Sequence, residues 1–218
     1  MSAFGYRKPA DLPQTIPLFP LAGAILMPRG VIAFNIFEPR YLNMVDDVLG
    51  GDRVIGLIQP TTGEEDAHSP TLVEIGTAGR ITAFTETEDG RYLITLTGIC
   101  RFEFEREFDT GAAYRQAIVS YDSFAGDFVQ ARGERIDRDS LVKTLKRYAN
   151  LHGFQVDWDS VEQAPTETII NVAAQICPFD SGAKQALLEA VTLEERERTL
   201  IALLEWDAAG DSKDRPVQ

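Results

Sequence analysis

The hydrophobic period of this chain changes near residue 125. Upstream, apolar and polar residues alternate, the period of half-buried strands. Phe102, Phe104 and Phe108 alternate with Arg101, Glu103, Glu105 and Glu107. Tyr92, Ile94 and Leu96 share a second such face. Downstream, apolar residues recur every three or four positions, as on helices: Leu141, Leu145, Tyr148 and His152 on one face, and Ile169, Ala173, Ile176 and Cys177 on another. Strands followed by helices belong to an α+β fold.

Eight short strands are expected, at residues 16–21, 31–36, 54–59, 72–77, 81–87, 91–97, 101–108 and 114–121, with Gly and Pro between them, the pattern of a barrel or sandwich. Glu88-Asp89-Gly90-Arg91 supplies a hairpin turn between two of them. One helix interrupts the series at residues 39–49, with Pro39 early in its first turn and Gly50-Gly51 beyond its end. In the second part, Ser181 is expected to cap a helix, and Thr192-Leu-Glu-Glu195 reads as a capping box before another. The expected organisation is a β subdomain over residues 14–122, a small helical bundle over 123–208 and a disordered polar tail over 209–218.

Composition excludes some functions. The 218 residues carry a net charge of −13, which repels phosphate backbones and anionic membranes. No apolar run reaches the roughly 18 residues of a membrane span. The first residues carry Arg7 and Lys8 without an apolar stretch behind them, so no signal peptide and a cytoplasmic protein are expected. Cys100 and Cys177 sit in apolar contexts and are expected as buried free thiols.

Chemical motifs are sparse. None of the five lysines follows a glycine, so a phosphate-binding loop of the Gly-Lys-[Ser/Thr] type is missing. Two His and two Cys, scattered at His68, His152, Cys100 and Cys177, do not make a zinc site, and no cofactor is expected. Ser181-Gly-Ala-Lys184 has the spacing of a Ser-x-x-Lys acyl-transfer dyad, without the other motifs of that class, and reads more simply as a helix cap and a surface lysine. Gly76-Thr-Ala-Gly79 resembles a Gly-x-x-Gly backbone clamp for RNA but lies between strand patterns, where a bulge or turn is expected. Glu64-Glu65-Asp66, beside His68, reads as a solvated turn. Arg132, Arg135, Arg138, Lys143, Lys146 and Arg147 form the one basic stretch, the default for which is a solvated helix face and the alternative a contact with an acidic partner or with the acidic body of this same protein.

The N-terminal third is more distinctive. Ile16-Pro-Leu-Phe-Pro-Leu21 holds two prolines that imply extended edge structure. Met27-Pro28 follows, then Ile36-Phe-Glu-Pro-Arg-Tyr41, where a strand turns into a helix and Glu38 and Arg40 are placed to pair. With Arg53-Val-Ile-Gly-Leu57, Gly98-Ile-Cys-Arg-Phe102, Tyr114-Arg-Gln-Ala117 and Lys184-Gln-Ala-Leu-Leu-Glu189 before Glu195-Arg-Glu-Arg198, this chain resembles the N-terminal, substrate-binding domain of Lon proteases in its stand-alone bacterial form.

The resemblance spans roughly residues 14–207 and implies a PUA-like β pseudo-barrel followed by a helical subdomain. It implies engagement of unfolded polypeptide or a protein partner, with self-association open through an exposed strand edge. The ATPase and protease domains of full Lon proteases have no counterpart here, so a non-enzymatic module is expected. Ser181 and Lys184 do not match the Lon dyad, which belongs to the protease domain. The candidate peptide-binding residues are Pro20, Met27, Phe37, Arg40 and Tyr41, at the proline-rich strand and the strand–helix corner. The alternative is an RNA reader with a PUA-like fold, a fold-level analogy against which the charge counts.

Overall fold

The structure is a computed structural model that describes residues 5–61, 63, 69–133 and 135–211. In chain order it contains β1 (Thr15–Pro20), β2 (Val31–Ile36), α1 (Pro39–Leu49), β3 (Val54–Ile58), β4 (Ile75–Glu86), β5 (Tyr92–Glu107) and β6 (Gln116–Ser120). The helices α2 (Arg138–His152), α3 (Trp158–Gln163), α4 (Thr166–Ile176), α5 (Ser181–Glu189) and α6 (Leu193–Asp211) follow. The fold is α+β, as the change of period predicts.

Among the described residues six named strands replace the eight expected. Residues 75–77 join 81–86 in one long strand, and the two stretches either side of residues 98–100 join in another. Gly79 and Gly98 read as breaks in the sequence, but they are points of close approach inside continuous strands. A Cβ on Gly79 would sit 2.6 Å from Leu26 Cδ2, and one on Gly98 would sit 2.1 Å from the Met27 carbonyl oxygen. A register shift between Ala78 and Gly79 is the bulge expected there. The hairpin at Asp89-Gly90 forms, with Glu86 opposite Tyr92 and Gly90 at φ 75°.

The sheet closes on itself. β5 pairs antiparallel with β4 and, from Glu103, with β6; β6 pairs with β1, β1 runs parallel to β3, and β3 pairs with β4. β2 lies outside this ring, on the first half of β5. The ring encloses Ile16, Leu18, Val54, Cys100, Phe102, Ala117 and Val119.

The prolines of β1 sit inside the barrel wall rather than on an edge strand. β1 changes partners halfway: Thr15–Pro17 face β6, and Leu18–Pro20 face β3. The Leu18 N–H donates toward β6 and the Leu21 N–H toward β3. Alternation then turns the Pro17 nitrogen toward β3 before that pairing begins, and the Pro20 nitrogen toward β6 after that pairing has ended. Each proline therefore lacks a donor where none is needed.

α1 covers the outside of this wall. Tyr41, Met44, Val45 and Val48, one face at helical spacing, pack with Phe19, Ile36, Ile55, Leu57, Ile94 and Leu96. A third core lies among α2, α4, α5 and α6, and Ile25 and Met27 from the β1–β2 loop enter it.

Asp180, not Ser181, caps α5: its carboxylate accepts from the Ala183 N–H at 2.7 Å, and Ser181 is the first helical residue. The Thr192–Glu195 capping box forms, with reciprocal bonds of 3.2 and 3.1 Å. The buried face of α4 runs through Ile169, Ile170, Ala173 and Ala174, which leaves Ile176 70% exposed rather than in the core. α3 has six residues, too few to show a period, and was not expected. α6 continues to Asp211, so residues 209–211 are helical rather than tail, and 212–218 lie outside the described residues. Both cysteines are buried and unbridged. No helix among the described residues is long and apolar enough to cross a membrane.

Candidate functional site

The strand–helix corner forms a groove of about 400 Å³ on the barrel wall. Its floor is aromatic. The Tyr41 ring meets Phe19 edge to face at 4.7 Å between centroids, and Phe34 meets Phe19 at 5.3 Å. Pro20, Pro60 and Pro70 line its sides, with Phe37, Arg40 and Arg115. Tyr41 is at the floor because it begins the buried face of α1; Phe37 is 62% exposed because β2 has ended and the chain is turning. A neighbouring hollow of about 390 Å³ shares Pro20, Arg40, Tyr41 and Arg115, so the depression continues along the barrel toward β6.

Charge at the corner is partly committed. Arg40 pairs with Glu38 at 2.8 Å, as its place two residues on predicts, and its guanidinium lies 4.6 Å from the Tyr41 ring centroid. Both partners of this pair are more than 40% exposed, so the pair orients Arg40 and adds little stability. Arg115 pairs with Glu107 and donates to the Pro70 carbonyl at 2.8 Å. Burial pushes the Tyr41 hydroxyl above its ordinary pKa, against the lowering effect of Arg40, so the phenol is neutral at physiological pH.

Four of the five candidate residues thus line one groove: Pro20, Phe37, Arg40 and Tyr41. Met27 does not reach it. Its side chain is fully buried in the helical core beside Ile25, and its N–H donates to Gln175 Oε1 at 2.8 Å. Flanked by apolar residues, it reads equally as surface and as core from the sequence; the core is where it lies. Arg115, Phe34 and Pro60 complete the groove, and only Arg115 lay within a motif singled out in the sequence.

The competing motifs acquire structural roles. The Lys184 ammonium, buried and pushed below its ordinary pKa by desolvation, donates to the Gly23 carbonyl at 2.9 Å and the Gln175 carbonyl at 3.1 Å. No hydrogen bond joins it to Ser181 among the described residues, so the surface lysine of the sequence reading is an internal brace. Gly76 and Gly79 lie within β4. In the basic stretch, Arg138 donates to the Val161 and Glu162 carbonyls, Lys146 lies 3.7 Å from Glu162, and Arg147 lies 3.5 Å from Glu205. Residues 64–68 lie outside the described residues, and no metal-ligand cluster occurs among the described ones.

A larger cavity, about 520 Å³, lies at the seam between barrel and helices. Of the arginines that line it, Arg101 and Arg196 are buried with their donors engaged, and Arg29 is exposed. Arg101 holds Asp127 at 2.9 Å and donates to the Leu188 and Ala190 carbonyls. Arg196 donates to the Leu187 carbonyl and to Asn171. Arg29 bridges the Asp127 carbonyl and Glu167. Arg101, which alternates with the Phe residues of its strand, is buried, because helices cover that face.

This arrangement matches known proteins. The N-terminal domain of a Lon protease of the Mycobacterium avium complex superposes with a TM-score of 0.65 at 15% identity, covering 88% of this chain and 98% of that one. A Lon N-terminal domain protein from Xanthomonas campestris does so at 0.60 and 23% identity, with the same coverage. In sequence, the Lon protease of Desulfosudis oleivorans is 34% identical over 187 residues, 85% of this chain but 23% of that protein. Lon protease 2 of Myxococcus xanthus is 25% identical over 94% of this chain and 25% of its own length. The chain therefore spans about a quarter of these relatives. With the model of the ATP-dependent protease La (Lon) substrate-binding domain matching residues 15–205, this chain belongs to that family.

Proposed function

We propose that the groove over Tyr41 captures unfolded polypeptide segments by their side chains and performs no chemistry on them. The reading assigns the protein the part of a cytoplasmic recognition module or adaptor, which holds a client for a partner. The observation that carries it is an aromatic floor walled by prolines, with Phe37 exposed at its edge and Arg40 and Arg115 beside it. A partly desolvated aromatic surface attracts apolar side chains, and guanidinium groups at its edge donate to the carbonyl groups an unfolded chain leaves unpaired. Pro20 presents no N–H on the open side of β1, which disfavours strand addition and leaves recognition to side chains.

The test is an anisotropy titration with a fluorescent, permanently unfolded polypeptide at physiological salt. Saturable binding in the micromolar range, roughly −8 kcal/mol, is expected. Phe37→Ala with Arg40→Ala removes two exposed groups and is expected to weaken binding about tenfold with the thermal midpoint unchanged. Undiminished affinity in the folded double variant removes the groove from the function.

A further inference from the structure

A second depression lies on the far subdomain, between α2, α3 and α4. It has a volume of about 250 Å³. Tyr148, Phe154, Val156, Trp158, Val172 and Ile176 supply much of its wall. Phe154, Val156 and Val172 are each more than a third exposed, and Ile176 is 70% exposed. Val172 and Ile176 stand one turn apart on α4, so they project as a pair from one helix face. Contiguous apolar surface of this kind is rare on a soluble protein unless something docks there.

The charge beside the groove identifies the class of occupant. Residues 153–180, which form two of its sides, contain Asp157, Asp159, Glu162, Glu167 and Asp180 and no lysine or arginine. Glu167 turns inward to Arg29, and Asp180 caps α5. Asp157, Asp159 and Glu162 are exposed on and before α3. Two cations stand beside it: Lys146 lies over the Trp158 ring at 5.3 Å and beside Glu162, and Arg138 donates to the Val161 and Glu162 carbonyls at the end of α3. Three exposed carboxylates, Asp157, Asp159 and Glu162, therefore stand against two cations whose donors are already engaged with α3, on a chain of net charge −13. That field repels acidic segments and anionic lipid and attracts cationic ones.

We propose that this groove is a second docking site, for a cationic amphipathic polypeptide segment. The segment's apolar face fills the space between α2 and α4, and its lysines or arginines lie against α3. A groove framed by helices receives a helix whose anchors recur every three or four residues. This extends the polypeptide-binding reading to a distinct surface and names the client chemistry that surface prefers.

The probe is a fluorescein-labelled leucine–lysine peptide of about 14 residues, patterned as an amphipathic helix. Two controls accompany it: the same pattern with glutamate for lysine, and a scrambled leucine–lysine sequence. The patterned lysine peptide is expected to bind saturably, with affinity that falls as salt rises. Both controls are expected to bind at least tenfold more weakly. In a Trp206→Phe background, Trp158 emission should shift on binding. Val172→Ser with Ile176→Ser is expected to weaken binding about tenfold without moving the thermal midpoint, since both side chains are already exposed. Asp159→Lys with Glu162→Lys should reverse the preference between the lysine and glutamate peptides.

Equal binding of all three peptides, or no effect of the groove variants, overturns the proposal. A concentration-dependent dimer in sedimentation, lost with Val172→Ser and Ile176→Ser, assigns the groove to a second copy and also overturns it. Phe37→Ala with Arg40→Ala should leave lysine-peptide binding intact. If that variant alone abolishes it, the peptide sits on the barrel and only this proposal fails. If unfolded polypeptide ignores the barrel groove while the lysine peptide binds here, only the barrel reading fails.

Discussion

The Arg101 guanidinium is buried at the wall of the seam cavity. It donates to both carboxylate oxygens of Asp127, to the Leu188 and Ala190 carbonyls, and lies 4.4 Å from the Phe124 ring centroid. Removing one member of such a pair leaves the other charged, buried and unpaired, which typically costs about 3–5 kcal/mol. Arg101→Met is therefore expected to lower the denaturant-derived unfolding free energy by that amount. Arg101→Met combined with Asp127→Leu should cost less than the sum of the single changes. Additive effects would mean that the pair does not act as a unit. Met27 makes a related point: its side chain is fully buried, so Met27→Ala should destabilise the protein by about 2–5 kcal/mol. Loss of client binding in that variant would report lost structure, whereas Phe37→Ala tests contact. Neither residue's environment was legible from the sequence. Alternation shows that Arg101 points away from Phe102, but not that helices almost a hundred positions on cover the opposite face.

Among the elements, the β1–β2 loop joins the two halves of the molecule. The Arg29 N–H donates to the Gly98 carbonyl at 2.8 Å, and the Gly98 N–H donates to the Gly30 carbonyl at 2.9 Å. The same loop sends Ile25 and Met27 into the helical core. Gly98→Ala would drive a Cβ to 2.1 Å from the Met27 carbonyl oxygen, where only backbone movement relieves it. We expect a loss of about 1–3 kcal/mol or more in the unfolding free energy, and a wild-type value would show that the loop does not lie against β5. Local signals located the elements themselves. Pro39 and Gly50-Gly51 mark α1, Asp89-Gly90 marks the hairpin, and Thr192 with Glu195 marks the start of α6. The corner that bears the candidate groove was legible for the same reason at Phe37, Arg40 and Tyr41, which one strand–helix turn groups, whereas sheet closure brings Pro20 of β1 beside them. Long-range closure was not. Gly79 and Gly98 resemble strand ends until the loop that packs on them is in place, and the walls of the groove at Pro60 and Arg115 come from segments distant in sequence.

At the scale of the whole molecule, polar side chains bridge the barrel and the helices, and each cross-link has its partner. The Gln59 amide donates to the Ser181 carbonyl and to Gln185, and Gln185 donates to the Ile75 carbonyl. Lys184 holds Gly23, and the Asn171 amide donates to the Pro28 carbonyl at 3.3 Å. Breaking this seam would leave many buried groups unsatisfied at once, so barrel and helices should unfold together. The cysteines test this without any added label, since Cys100 lies in the barrel and Cys177 among the helices. Burial pushes the Cys177 thiol up to about 11 and the Cys100 thiol higher still, so neither is a thiolate at neutral pH in the folded protein. A thiol reagent at pH 7 should leave both untouched in the native state and modify both at the same denaturant concentration. Earlier modification of Cys177 would show that the helical part opens by itself. The Arg101→Met change cuts the seam at its most buried ion pair and should separate the two midpoints, with Cys177 modified first. The helical core draws on loop residues Ile25 and Met27, whereas the barrel closes its own ring of hydrogen bonds.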